Sequence, residues 1–277
     1  MQQQVIHTKH LFPVLDAKLI ELLRSLTSEE WNKPTIARLW TVKDIAAHLL
    51  DGNIRTLSLG RDRHQLLPNR SINHYNDLVD YLNELNAVWV KASKRLSPQL
   101  LTDLLELTGK QYSQYWQEAD LYADALFSVA WAGEQTSRNW FHIAREYTEK
   151  FIHQQQIREA VNKPGIITQE LFYPFIETFM QALPYTYRST DAEINTTVKV
   201  SVSTEAGGNW FLIKNTDGWY LSQEATDTIA ASVEIDPATA WKLFSKGITP
   251  DEAKSAVTIT GNKKLGETVL TMVSVMA

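Results

Sequence analysis

Apolar residues recur through the first half of the chain at the spacing of a single helix face. Between residues 11 and 26 they fall at Leu11, Leu15, Leu19, Leu22, Leu23 and Leu26, close to the 3.6-residue period. A helix end and a short turn follow over residues 25–31, and Pro34 closes that region. Thr41 then reads as an N-cap, with Asp44 three residues later in an acidic first turn. Val42, Ile45, Ala46, Leu49 and Leu50 continue as an apolar stripe, so a second helix carrying His48 is predicted to run toward Gly60. After a polar, charged loop, a third helix is predicted from Ser71 or Tyr75 to Leu96, with Leu78, Leu82, Leu85, Val88 and Trp89 inward. Ser97-Pro98 starts a fourth, which Thr108-Gly109 is expected to break. Residues 119–133 read as loop, short helix or both. A long helix is predicted over residues 137–160, stopped by Asn162-Lys163-Pro164-Gly165.

The pattern then changes to alternation. Residues 195–202 alternate and are rich in β-formers. Gly207-Gly208 makes a turn, and Thr216-Asp217-Gly218 separates two further strands at 209–214 and 219–223 as a hairpin signal. Residues 232–235 and 256–260 read as strands, residues 237–244 as a short helix with Pro237 in its first turn, and residues 265–276 as a terminal helix. This shift predicts an all-α four-helix bundle over residues 1–165 and an α/β domain over residues 166–277.

Length and composition agree with two ordinary domains: 277 residues, 44% hydrophobic and 21% charged. The net charge of -5 offers no basic face for nucleic acid. There is no cysteine, which excludes disulfides and thiolate metal sites, so any metal must use His, Asp, Glu or water. The first ten residues have no apolar core of the signal-peptide kind, and no run approaches the roughly 18–20 apolar residues of a membrane span. A soluble cytoplasmic protein that uses no membrane is the expectation.

The candidate chemistry lies on the long helix. His142, Glu146, Glu149 and His153 are spaced four, three and four, which places them on one face amid Phe141, Ala144, Tyr147, Phe151 and Ile152. Glu149 and His153, one turn apart, can reach the same ion. A third ligand should come from another helix, and His48, between apolar Ile45 and Leu49, is the candidate. Two His and one Glu form the ligand set of catalytic zinc sites, and nickel, cobalt or iron accept the same donors. The plain alternatives are a satisfied core histidine and an ordinary i, i+4 ion pair. His142 and Glu146 could hold an ion a turn or two earlier, but they read as groups orienting the ligand rings, or as unrelated to them, rather than as ligands.

Two separated motifs carry a family resemblance over roughly residues 10–165. Trp40-Thr41-Val42-Lys43-Asp44-Ile45-Ala46-Ala47-His48-Leu49 closely resembles the W-T-V-x-D-x-x-A-H-L signature of the mycothiol-dependent maleylpyruvate isomerase N-terminal domain, in the DinB-like four-helix-bundle superfamily. Leu26-Thr27-Ser28-Glu29-Glu30-Trp31 resembles the family's lead-in, and Glu149 to His153 its E-x-x-x-H pair. The resemblance implies that His48, Glu149 and His153 are metal ligands. The chain departs from the pattern at Ile36-Ala37-Arg38-Leu39, where relatives carry a Cys-Pro-Gly-like stretch, and at Gln154-Gln155-Gln156, where they commonly have a Trp-Asp pair. Metal binding therefore carries over, and the isomerase reaction itself does not. Residues 210–212, 236–241 and 260–262 make the second half look like a sterol-carrier-protein-2-like (SCP2-like) domain.

The reading that follows is a divalent-metal protein, zinc foremost, working as a thiol-dependent transferase or isomerase on a small molecule. Its partners would be a low-molecular-weight thiol and a small-molecule substrate, and a homodimer suits such bundles. The alternatives are a non-catalytic small-ligand binding module and a thiol-independent metal hydrolase. Trp116, Trp131 and Trp140 are candidates for the site's aromatic wall, with core packing as the bland reading. Arg145 stands four residues before Glu149, which predicts an intrahelical ion pair. Arg55, Arg61 and Arg63 could face an anionic substrate, against the plainer reading of a solvated loop.

Overall fold

A computed structural model describes residues 4–225 and 228–275. The N-terminal region is helical and a five-stranded sheet follows it among the described residues, as the change of period predicts. Contacts divide the chain into two compact units. One holds Thr8–Leu121 and Glu149–Ile166; the other holds the residues up to His7, Tyr122–Thr148 and Ile167–Val275. No helix among the described residues is long and apolar enough to cross a membrane.

The first unit is built on α1 (Leu11–Arg24), α2 (Val42–Thr56), α3 (Tyr75–Ser93), α4 (Pro98–Glu118) and the C-terminal half of α5 (Asn139–Val161). Leu19, Leu22 and Leu23 of α1, Ile45, Ala46, Leu49 and Leu50 of α2, Leu101 and Leu105 of α4, and Ile157 and Val161 of α5 form one core. At about 1.5–3 kcal/mol for each fully buried aliphatic side chain, this face holds α2 more firmly than its helix propensity could. Thr41 caps α2, as predicted, and closes a capping box with Asp44: Thr41 N–H donates to Asp44 Oδ2 at 3.0 Å. Asp44 is buried and ion-paired with Lys94. Helix α2 ends in a π-helical turn, Leu57–Arg61.

The helices of this unit differ from the expected ones in two places. Helix α4 runs unbroken through Thr108-Gly109. Gly109 lies where α1 comes closest: a Cβ there would stand 2.8 Å from Asp16 Oδ2. Its lack of a side chain serves packing rather than termination. Asp16 in turn accepts from Lys150 Nζ at 2.8 Å, and that ammonium lies 4.4 Å from the centre of the Tyr112 ring. On α3, Leu78, Leu82, Leu85 and Trp89 are half-buried as expected, but Val88 points outward, and Tyr81, Val90 and Ser93 are the buried positions among the described side chains. Trp89 still reaches inward, its indole N–H donating to the Ala47 carbonyl at 2.8 Å.

The second unit holds the sheet, in strand order β3-β2-β1-β4-β5. The strands are β1 (Thr197–Val202), β2 (Gly208–Asn215), β3 (Gly218–Ser222), β4 (Ile229–Ile235) and β5 (Val257–Gly261). β1 pairs parallel to β4, and the other neighbours are antiparallel. The β2–β3 turn closes as predicted, with Asn215 Oδ1 accepting from the N–H groups of Asp217 and Gly218 at 2.9 Å. Helix α6 (Gln169–Met180), which the sequence reading passed over, is the unit's most buried helix, with Leu171, Phe172, Phe175, Ile176, Phe179 and Met180 fully enclosed. Short α7 (Leu183–Thr186) follows it; α8 (Pro237–Phe244), capped by Asp236, falls where expected, and α9 (Pro250–Ala253) precedes β5. The terminal helix, α10 (Lys263–Val269), is shorter than the predicted 265–276. Leu270 and Met272 are buried beyond its end, and Met276 lies outside the described residues.

Candidate functional site

Helix α2 presents His48 from its face toward α5, and α5 presents His153 and Glu149 one turn apart. The His48 and His153 rings meet edge to face, centroids 4.6 Å apart and planes at 77°. Glu149 Oε2 stands 3.6 Å from His153 Nε2. Trp40, just before the Thr41 cap, covers the pair: its ring lies 4.7 Å from His48 and 6.2 Å from His153. The three residues drawn from distant parts of the sequence thus share one place in the helical unit.

The surroundings set the charge state of the pair. Burial holds the His48 imidazole well below the ordinary histidine range, and His153 and Arg55 push it in the same direction. The residue as a whole keeps some solvent contact, but its Nδ1 is wholly shielded and has no hydrogen-bond partner. His153 differs: its Nδ1 lies 2.9 Å from Gln156 Oε1. Arg55 is tied to Asp51 of the same helix, Nε to Oδ2 at 3.0 Å.

His142 and Glu146 form a separate cluster around Arg145. Arg145 Nη2 lies 2.9 Å from His142 Nδ1 and donates to Glu146 Oε1 at 2.6 Å. Arg145 therefore directs its guanidinium to these two groups instead of to the Glu149 partner that the i, i+4 spacing offered. Burial pushes the His142 pKa down to about 4; Arg145 adds to the shift and Glu146 opposes it. The three tryptophans named as wall candidates pack in the core, as the plainer reading has it. Trp131 and Trp140 lie against Phe141, and Trp116 against Tyr112 and Tyr115. Trp40 takes the wall position. The signal that could have found it was its place in the His48 motif, immediately ahead of the Thr41 N-cap.

Among the described residues, no group of three or more His, Asp or Glu side chains stands in a metal-holding arrangement. The donor types nevertheless suit a borderline-soft divalent cation. Two imidazoles and one carboxylate are adjacent, His48 is kept neutral, and a buried ring nitrogen lacks a partner that a cation would provide.

A family model described as the Mycothiol maleylpyruvate isomerase N-terminal domain matches residues 12–158. No curated protein is similar enough to match. Two similar solved structures are the crystal structure of the mycothiol-dependent maleylpyruvate isomerase and that of a histidine-to-alanine mutant of it. They share 13% and 12% identity with this chain, with 91% of each chain covered and a TM-score of 0.53 in both cases. At that identity the likeness bears on the fold. The family match spans more than half of the sequence, and the chain belongs to the mycothiol maleylpyruvate isomerase N-terminal domain family.

Proposed function

We propose that the protein is a metal-dependent enzyme that uses a low-molecular-weight thiol, of the mycothiol kind, to transfer a group to or isomerise a small molecule. His48, Glu149 and His153 would hold the divalent cation, zinc first among the candidates. The observation that carries this reading is that the His48 imidazole, whose buried Nδ1 has no hydrogen-bond partner, meets the His153 ring, with Glu149 Oε2 3.6 Å from His153 Nε2. Residues 1–165 would form the metal-binding part and residues 166–277 an SCP2-like part.

When bound, such a cation supplies Lewis acidity that favours the thiolate over the thiol. The chain's own residues supply the rest. Burial keeps the His48 imidazole neutral at neutral pH, so that one of its ring nitrogens has a free lone pair. Glu149 brings the one negative charge of the set and keeps about a third of its side chain in solvent, so the donors are reachable from outside. Trp40 packs beside the two imidazoles, 4.7 Å from His48 and 6.2 Å from His153, and would form an apolar wall to the site.

Elemental analysis of the purified protein, wild type and with His48→Ala or His153→Ala, tests the ligand set. About one divalent ion per chain is expected in the wild type and a marked loss in each variant. Unchanged stoichiometry in both variants would overturn the assignment. A thiol screen tests the reaction class: turnover should require added thiol. Turnover indifferent to thiol would instead identify a metal hydrolase, and a cation without an exchangeable position would identify a binding module.

A further inference from the structure

We infer that Gln156 is a positioning residue that fixes His153 in the tautomer bearing its proton on Nδ1, so that Nε2 is presented bare beside Glu149. The metal role of that nitrogen rests on the function proposed above; the tautomer does not.

A neutral imidazole carries one proton on one of two nitrogens, and only the bare nitrogen can donate a lone pair to a cation. Gln156 lies one turn beyond His153 on α5 and is buried. Its Oε1 is 2.9 Å from His153 Nδ1. An amide oxygen accepts and cannot donate, so Nδ1 carries the hydrogen. The far side of the ring agrees. His153 Nε2 and Glu149 Oε2 are 3.6 Å apart, beyond hydrogen-bond length. An N–H at Nε2 would draw the carboxylate to about 2.8 Å, as a charge-assisted bond does. Two groups without a proton between them stand apart, as these do.

His48 has no comparable partner, since its Nδ1 is orphaned. Control of the tautomer therefore falls on the His153 side of the pair. The amide also differs from a carboxylate in the same place. It orients the ring without adding negative charge, which leaves Glu149 as the one anion of the donor set and the imidazole a weaker donor. Replacing the amide by a carboxylate should tighten cation binding, and replacing it by an apolar group should loosen it.

The test uses full-length, metal-free protein and nitrogen–proton correlation spectra of the histidine rings, with the His153 signals assigned by their loss in His153→Ala. The wild type should show the Nδ1–H form at His153. Gln156→Glu should keep it, and Gln156→Leu should shift the ring toward the Nε2–H form. Zinc affinity by chelator competition should fall by about 10–100-fold in Gln156→Leu and return to at least the wild-type value in Gln156→Glu. An Nε2–H ring in the wild type would overturn the inference, and so would a Gln156→Leu protein that binds zinc as tightly as the wild type. If the wild type holds no zinc at all, the metal-site reading falls and the wild-type ring spectrum alone decides this one. That spectrum requires no variant to fold.

Discussion

The imidazole of His153 stands edge-on to that of His48, ring centroids 4.6 Å apart. Two cationic rings at that separation would repel, and burial of His48 already disfavours its charged form. The pair is therefore most comfortable with at least one ring neutral, which is the state in which imidazoles act as ligands. Trp40 is part of that environment, 4.7 Å from His48. Trp40→Ala should let water reach the ring and move the His48 pKa up toward the ordinary histidine value, since desolvation is its largest cause. A Trp40→Phe variant should move it less. Histidine ring titration in metal-free protein checks both, and an unchanged His48 in Trp40→Ala would show that other residues shield it.

The capping box at the start of α2 should matter for stability and for the placement of His48 alike. Thr41→Ala should cost about 1 kcal/mol in denaturant unfolding at pH 7. Asp44 shows a pH signature as well. Burial pushes its carboxyl up, but Lys94 and hydrogen bonds from Thr41 outweigh this and hold it below the usual carboxylate range. Its contribution is then fully present above the ordinary carboxylate pKa and is lost as pH falls through the lower folded value. The stability gap between wild type and Asp44→Asn should accordingly narrow in acid.

His142 predicts the opposite kind of group with the same direction of loss. Its pKa is near 4 in the folded chain against 6.5 as the ordinary value. The unfolded chain therefore takes up a proton between these values while the folded chain does not. Stability from this group is complete above about pH 6.5 and falls as pH drops toward 4, by about 3 kcal/mol at most. His142→Gln should flatten that limb of a stability-against-pH curve. An acid limb as steep as the wild type's would assign the loss to other groups.

Lys150 and Asp16 form a buried ion pair across α5 and α1, with side chains 8% and 17% exposed. Lys150→Met leaves the Asp16 carboxylate without its cation and should cost about 3 kcal/mol. Adding Asp16→Leu should recover much of that loss, because the uncompensated charge is gone. A double variant whose cost equals the sum of the two singles would show that the pair has no mutual interaction.

Much of the helical unit was legible because its signals are local. Thr41 and Asp44 announce the start of α2 by hydrogen bonds that span three residues, and the leucine spacing of α1 marks its buried face. Asp236-Pro237 did the same for α8. Helix α6 was less legible, because Pro174 sits inside it, where a proline argues against a helix, and its aromatic residues favour strands by propensity. It is helical because the core encloses its aromatic side chains, which only the packed unit can supply. Gly109 looked like a stop signal for a similar reason: its neighbour Asp16 comes from another helix.

The candidate site divides along the same line. The sequence by itself determined which side chains stand on the ligand-bearing faces, since the 3.6-residue period is a property of each helix alone. It left His142 and Glu146 as rivals of Glu149 and His153, because spacing along one helix is the same for both pairs. Tertiary structure separates the two pairs: packing of α2 beside α5 set His48 and Trp40 against His153, while Arg145 drew His142 and Glu146 into a cluster of their own. It also buried Gln156, a residue that a polar run would place in water, and so turned an amide into the partner of a ring nitrogen. Proximity between residues far apart in the chain, and the burial that shifts their protons, exist only once the helices have packed.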